Sequence, residues 1–240
     1  MQNEECRMRG ERMYRLGVLG GMGPAAAADF MRVLAERTPA TKDQEHPRTI
    51  LYSHTAIPDR TSFLLGKGPD PTEYIKDGLN TLIGWGADYL CVTCNTAHYF
   101  VDSFRDEIEK PIIHIVDETI RKCAEISPKG AWLTATLGTM RTGLYQKHAA
   151  ECGYNFRIPS EELQVEIHEA TDIVKAGKHK EAGEKFRAIV EKLWEIEKLP
   201  VVGACTEIPI CYANTGLDPQ MGISSLEALA DGCIRELYKK

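Results

Sequence analysis

The sequence predicts an α/β fold of two pseudo-symmetric lobes, each with a parallel sheet flanked by helices. Three observations predict it. Short apolar runs rich in β-formers alternate with helical patterns, as βα units require. Each half runs a strand into a Gly/Thr loop, Gly20-Gly21-Met22-Gly23 and Thr136-Leu137-Gly138-Thr139, and later a strand into a cysteine turn, Cys94-Asn95-Thr96 and Cys205-Thr206-Glu207. The loop-to-cysteine spacings are similar, 71 residues from Gly23 to Cys94 and 66 from Thr139 to Cys205. A repeated unit would set one loop and one cysteine of each lobe at the carboxyl ends of its strands, where ligands bind in such sheets.

Along the chain, Arg15 to Leu19 reads as the first strand. Pro24, with a fixed φ suited to a first helical position, opens a helix that stops before Pro39. Thr49 to His54 is a strand; Asp70 as cap, Pro71 in the first turn and Glu73 then start a helix running to Gly84. Strands over Ala87 to Thr93 and Ile112 to Val116 precede a helix over Asp117 to Ile126. The second half offers strands over Gly130 to Ala135 and Pro200 to Ala204 and a helix over Gly143 to Cys152. It adds a long polar-faced helical stretch, Glu161 to Lys198, broken near Gly177, and a closing helix from Ser224 to Tyr238. The expected partition is a frayed tail over residues 1–12, in which Met8 or Met13 serves as an alternative start, a first lobe of 13–116 plus 213–240, and a second lobe of 117–212.

A chain of 240 residues holds one large domain or two modest lobes, and 43% apolar with 27% charged residues is an ordinary globular composition. The net charge of −6 gives no general attraction to nucleic acid or anionic membranes. No apolar run approaches the ~18 residues of a membrane span, and the leader lacks a signal peptide's apolar stretch, so a cytoplasmic protein is expected. In that reducing setting the eight cysteines are expected as thiols.

A cysteine just past a buried strand and before a helix lies near free backbone N–H groups and the positive end of the helix dipole, which lower a thiol's pKa. Cys94 and Cys205 both qualify. Two thiols facing each other across a cleft suit stereoinversion: one thiolate removes a proton from one face of a carbon and the opposite thiol returns one to the other. Cys6, Cys123, Cys152, Cys211 and Cys233 read as inert, the last of the loop type being Cys211 after Pro209. Cys91-Val92-Thr93-Cys94 formally matches a redox or metal pair, but Cys91 falls inside a strand, and no second Cys/His pair completes a zinc site with His98. Gly21-Met22-Gly23-Pro24-Ala25-Ala26 fits a dinucleotide pattern but lacks the acidic residue after the next strand, so a small carboxylate held by glycine N–H groups is the better reading. Arg60 follows the second strand and can grip a carboxylate or pair with Asp59 in solvent. Glu207 either orients the site or caps the next turn; His46 and His54 read as structural.

Leu19-Gly20-Gly21-Met22-Gly23-Pro24, Asp43-Gln44-Glu45-His46-Pro47, Ile57-Pro58-Asp59-Arg60-Thr61, Cys94-Asn95-Thr96-Ala97-His98 and Ala204-Cys205-Thr206-Glu207-Ile208-Pro209 together resemble the signatures of the aspartate/glutamate racemase family, in its aspartate racemase branch. The resemblance implies an active site in the cleft between the lobes, no pyridoxal phosphate, no metal, and a homodimer acting on a small-molecule amino acid. It implies Cys94 and Cys205 as paired acid/base residues, with Cys205 working on the L-enantiomer and Cys94 on the D-enantiomer. It also implies substrate-binding roles for Met22, Gly23, Arg60, Asn95, Thr96, Thr136, Thr139 and Thr206. A lysine that similar aspartate racemases carry in a second-lobe helix aligns here with Gln164, which keeps hydrogen bonding and loses the charge. Racemisation of aspartate, then glutamate, is the expected activity. A broad-specificity or non-acidic racemase, or a lapsed amino-acid-binding protein, is the alternative.

Overall fold

A computed structural model describes residues 14–239; the expected tail, with Cys6 and the alternative starts Met8 and Met13, lies outside the described residues. The described residues form two four-stranded sheets, parallel throughout. The first contains β1 (Arg15–Gly20), β2 (Arg48–Ser53), β3 (Tyr89–Val92) and β4 (Ile112–Ile113) in the order β2-β1-β3-β4. The second contains β5 (Ala131–Thr134), β6 (Phe156–Arg157), β7 (Val201–Gly203) and β8 (Gly222–Ser224) in the order β6-β5-β7-β8. The orders match position for position, so β1 corresponds to β5 and β3 to β7, and the repeat read in the sequence is a repeat of structure.

Helices fill the connections. The first lobe has α1 (Pro24–Arg37), the short α2 (Arg60–Leu64), α3 (Thr72–Gly84) and α4 (His98–Phe104); α5 (Ile115–Ile126) links the lobes. The second lobe has α6 (Leu137–Thr142), α7 (Leu144–Glu151), α8 (Glu161–Lys175), α9 (His179–Ile196) and α10 (Ile208–Ala213), and α11 (Ser225–Leu237) closes the chain. Pro24 does open α1, and Asp70 accepts the Thr72 amide at 2.8 Å at the start of α3. The break near Gly177 separates α8 from α9, with Gly177 at φ +78° in the left-handed region that favours glycine.

One apolar cluster crosses from lobe to lobe: Leu16, Val18, Phe30 and Leu34 join Leu133, Tyr145 and Val202, with Leu226 and Leu229 of α11 between them. Two others lie on the outer sides of the sheets, one holding Leu79, Val92 and Cys94, the other Phe186, Val201 and Cys205. The α11 helix is also tied by charge, Arg37 gripping Asp231 through Nε at 2.5 Å and Nη2 at 2.7 Å.

Several boundaries differ from the sequence expectation. Within the stretch 213–240, expected with the first lobe, β8 pairs with β7 and so extends the second sheet, while α11 returns to the first lobe. Ile115 and Val116 read as strand because they are apolar, but they form the buried first turn of α5. The edge strands β6 and β8 and the helices α2, α4, α6 and α10 are too short to show a period. Cys211, read as a loop residue, is buried in α10.

Candidate active site

The turns that follow β1, β3, β5 and β7 converge on a cavity of about 170 Å³. Its walls include Met22 and Gly23 from the first loop, Arg60 from α2, Cys94, Asn95 and Thr96 from the β3 turn, Thr136 from the β5 turn, and Cys205, Thr206 and Glu207 from the β7 turn. This is room for one small molecule. The first loop can bend this sharply because Gly21 sits at φ +91°, with the His54 backbone 2.5 Å from where a Cβ would lie. Gly138 does similar service in the second lobe: a Cβ there would meet Thr61 Oγ1 at 2.8 Å, so its absence lets α2 press against α6.

A ring of hydroxyls joins the lobes at the cavity wall. Thr96 Oγ1 lies 3.1 Å from Thr136 Oγ1 and 2.8 Å from Thr139 Oγ1, and Thr136 caps α6 by accepting the Thr139 amide at 3.2 Å. Asn95 is held from behind. Tyr145 donates its hydroxyl to Asn95 Oδ1 at 2.5 Å, and Asn95 Nδ2 donates to Ser225 Oγ at 3.0 Å. Beneath Cys94, His98 is fully buried and neutral, its charged form opposed by burial and by the nearby His114. Its Nδ1 donates to the Cys94 carbonyl at 2.8 Å while Nε2 faces the Ile115 amide.

The two thiols are both 6% exposed. Cys205 donates to Glu207 Oε2 at 2.9 Å, and Thr206 Oγ1 donates to the same oxygen at 3.2 Å. Burial first, and the Glu207 carboxylate second, push the Cys205 thiol well above the ordinary thiol range. The lowering expected from a helix N-terminus is therefore overturned here, because the carboxylate lies in hydrogen-bond contact whereas the six-residue α10 begins only at Ile208. Glu207 contributes no side-chain cap to α10, which settles its two readings in favour of the cavity.

Arg60 is not solvated with Asp59. Its Nη1 donates to Pro58 O at 3.0 Å and Nη2 to Met22 O at 3.1 Å, while Nε is buried without a partner. A second cation stands at the mouth. Lys175, in the last turn of α8, lines the cavity with its side chain 49% exposed and its ammonium 3.1 Å from Asp172. Burial of its stem works against the charge, but the Asp172 and Glu207 carboxylates outweigh it and hold the pKa above the ordinary lysine value.

Two of the residues expected to bind substrate lie off the cavity wall. Gln164 is absent from the cavity wall; it sits in the first turn of α8, its amide donating to Pro159 O at 2.8 Å, about 16 Å along the helix from Lys175 at 1.5 Å per residue. Thr139 stands behind Thr96 and Thr136 rather than on the wall. Cys91 and Cys94 fall in different apolar clusters, so they do not act as a pair. His54 stacks on Tyr52 at 4.8 Å, and neither His46 nor His54 lines the cavity.

The Asp/Glu/hydantoin racemase family model matches residues 19–231. The chain belongs to that family. Aspartate racemase from Picrophilus torridus shares 27% identity with this racemase over 95% of each chain, at a TM-score of 0.81. The broad specificity amino-acid racemase RacX of Bacillus subtilis is 25% identical over 201 residues, 80% of this chain and 85% of that protein. Glutamate racemase from Campylobacter jejuni shares the fold at a TM-score of 0.64 and 15% identity, over 94% of this chain and 86% of its own. This racemase thus falls in the aspartate racemase branch and is an isomerase of the amino-acid racemase class.

The sequence reading missed Lys175 as a site residue, because counting along α8 gives no anchor for which end reaches the cavity. The signal was present in the run Val174-Lys175-Ala176-Gly177, where a cation ends a helix at a glycine turn.

Proposed function

We propose that this racemase interconverts the enantiomers of an acidic amino acid, aspartate first and glutamate next, by proton transfer between two thiols and without a cofactor. One observation carries the reading: equivalent turns of the two lobes each bring a buried thiol to one small cavity. Cys205, which holds its proton and donates it to Glu207, is the acid; Cys94 is the base. Cys94 Sγ takes the α-proton, the electron pair stays on Cα conjugated with the α-carboxylate, and the Cys205 proton is delivered to the opposite face. Turnover leaves Cys94 as the thiol and Cys205 as the thiolate, ready for the reverse reaction. Backbone N–H groups of the two turns, with the hydroxyls of Thr96, Thr136 and Thr206, receive the α-carboxylate as its charge grows in the transition state. Arg60 Nε and Lys175 supply the positive charge for a distal carboxylate.

The likeness to the Picrophilus torridus aspartate racemase supports this substrate. A broad-specificity racemase is the second reading, favoured by the likeness to RacX and by the half-exposed Lys175, which leaves the side-chain end of the cavity open. The deciding experiment incubates the purified protein with single enantiomers of a panel of amino acids in deuterium oxide. Loss of optical rotation with deuterium at Cα, fastest for aspartate and unaffected by a carbonyl reagent, is expected. Comparable rates across neutral and acidic side chains establish the second reading, and the absence of both signals on every substrate overturns the proposal.

A further inference from the structure

Outside the cavity, α4, the start of α5, and α7 bring two histidines and two aspartates together. Ligand atoms of Asp102, His114 and His148 all lie within 4.8 Å of one another. His148 Nε2 is 2.9 Å from Asp102 Oδ2, and His114 Nε2 is 3.2 Å from Asp102 Oδ1. The His114 side chain is 1% exposed, and among the described residues neither ring nitrogen finds a partner in hydrogen-bond geometry despite that proximity. For His114 and Asp102, right distance with wrong angle is what co-ligands of a metal show; His148 Nε2 is hydrogen-bonded to Asp102 Oδ2, and an ion would take the place of that proton. Two ligand atoms each bound at about 2.0–2.1 Å stand about 2.9–3.4 Å apart at octahedral to tetrahedral angles, with the ion, rather than a proton, between them.

Behind His148 the opposite nitrogen is backed by Asp117 as metal-binding imidazoles usually are, while His114 Nδ1 is not within hydrogen-bond reach of it. Asp117 Oδ1 lies 2.6 Å from His148 Nδ1, and Asp117 Oδ2 lies 3.7 Å from His114 Nδ1. The rings of His114 and His148 stack at 4.9 Å and 11°, and both Nε2 atoms lie against the Asp102 carboxylate. Two carboxylates balance one divalent charge, with Arg105 at the outer edge, 3.7 Å from Asp117. Asp102 at 20% and Asp117 at 45% side-chain exposure leave a path from solvent.

We propose that Asp102, His114 and His148 bind one late first-row divalent metal ion, zinc, cobalt or nickel, with Asp117 as the carboxylate behind the His148 imidazole. Imidazole donors select such ions over magnesium and calcium. The ion does not touch substrate; it ties α4 of the first lobe to α7 of the second. It also fixes His114, whose ring meets His98 edge-on at 4.3 Å, and His98 holds the Cys94 carbonyl.

The test uses the full chain, stripped with chelator and carrying Cys94→Ser and Cys205→Ser so that the cavity thiols do not compete. Titration with cobalt chloride should saturate at one ion per chain and give visible d–d bands without a thiolate charge-transfer band. Zinc should displace the cobalt one for one, and magnesium should not. Asp117→Asn should weaken cobalt binding at least tenfold and His148→Ala at least a hundredfold. No stoichiometric binding to the stripped chain, a thiolate band at saturation, or an unchanged affinity in His148→Ala overturns the proposal. The titration of the stripped chain decides it even if a histidine variant fails to fold.

Discussion

Cys205 keeps its proton for two separable reasons, burial and the Glu207 carboxylate 2.9 Å away. Glu207→Gln removes the second and leaves the first. The thiolate of Cys205 should then form at lower pH, and in a Cys94→Ser background the rate of alkylation by iodoacetamide should rise at a given pH, its midpoint moving down. An unmoved midpoint would show that burial alone sets the thiol. Cys94→Ser and Cys205→Ser should each abolish racemisation, because reprotonation from the opposite face needs the missing partner, while exchange of the α-proton survives for one enantiomer only. A racemisation rate near that of the parent in either variant rules out the two-thiol scheme.

The α8 helix sets which of its polar side chains faces the cavity. Lys175 ends it at the cavity mouth, and Gln164 sits in its first turn, turned to Pro159. Lys175→Gln should therefore lower kcat/KM for aspartate at least tenfold relative to a neutral amino acid, as expected for a charge-assisted contact of roughly 1.5–3 kcal/mol. Gln164→Lys should leave that ratio unchanged, and steady-state kinetics on both substrates checks the pair. The strands β1 to β5 and β7 and the cysteine turns were legible in the sequence because a buried parallel strand is a run of apolar residues and its end is a change of composition, whereas the two- and three-residue edge strands β6 and β8 were not. Glu207, by contrast, was legible only as an acid beside a cysteine; which way its carboxylate turns depends on α10, a helix of six residues with no period to read. The pairing of Thr96 with Thr136 and Thr139 is a contact between lobes, and no spacing along one chain encodes it.

At the scale of the whole molecule, the apolar cluster shared by the lobes makes them one cooperative unit. Leu229 of α11, fully buried in that cluster, packs where both sheets meet. Leu229→Ala should cost about 2–5 kcal/mol, as a buried leucine truncation does. The loss should appear in a single urea transition, and hydrogen exchange should report it equally at β1 and β5 amides. Loss of protection in the first sheet alone would mean that the lobes are independent folding units.

The crossed ends of the chain, β8 in the second sheet and α11 against the first lobe, bear on how the protein is made. A ribosome releases β1 through β4 early, yet that lobe lacks the helix that covers Leu16 and Val18 until Ser225–Leu237 emerge. The second sheet waits for its edge strand over the same interval. Neither lobe can finish folding until residues 222–237 have left the ribosome, so the final assembly of both waits on the same late segment. Until then the apolar faces that later seal the lobes together are exposed for chaperones to hold.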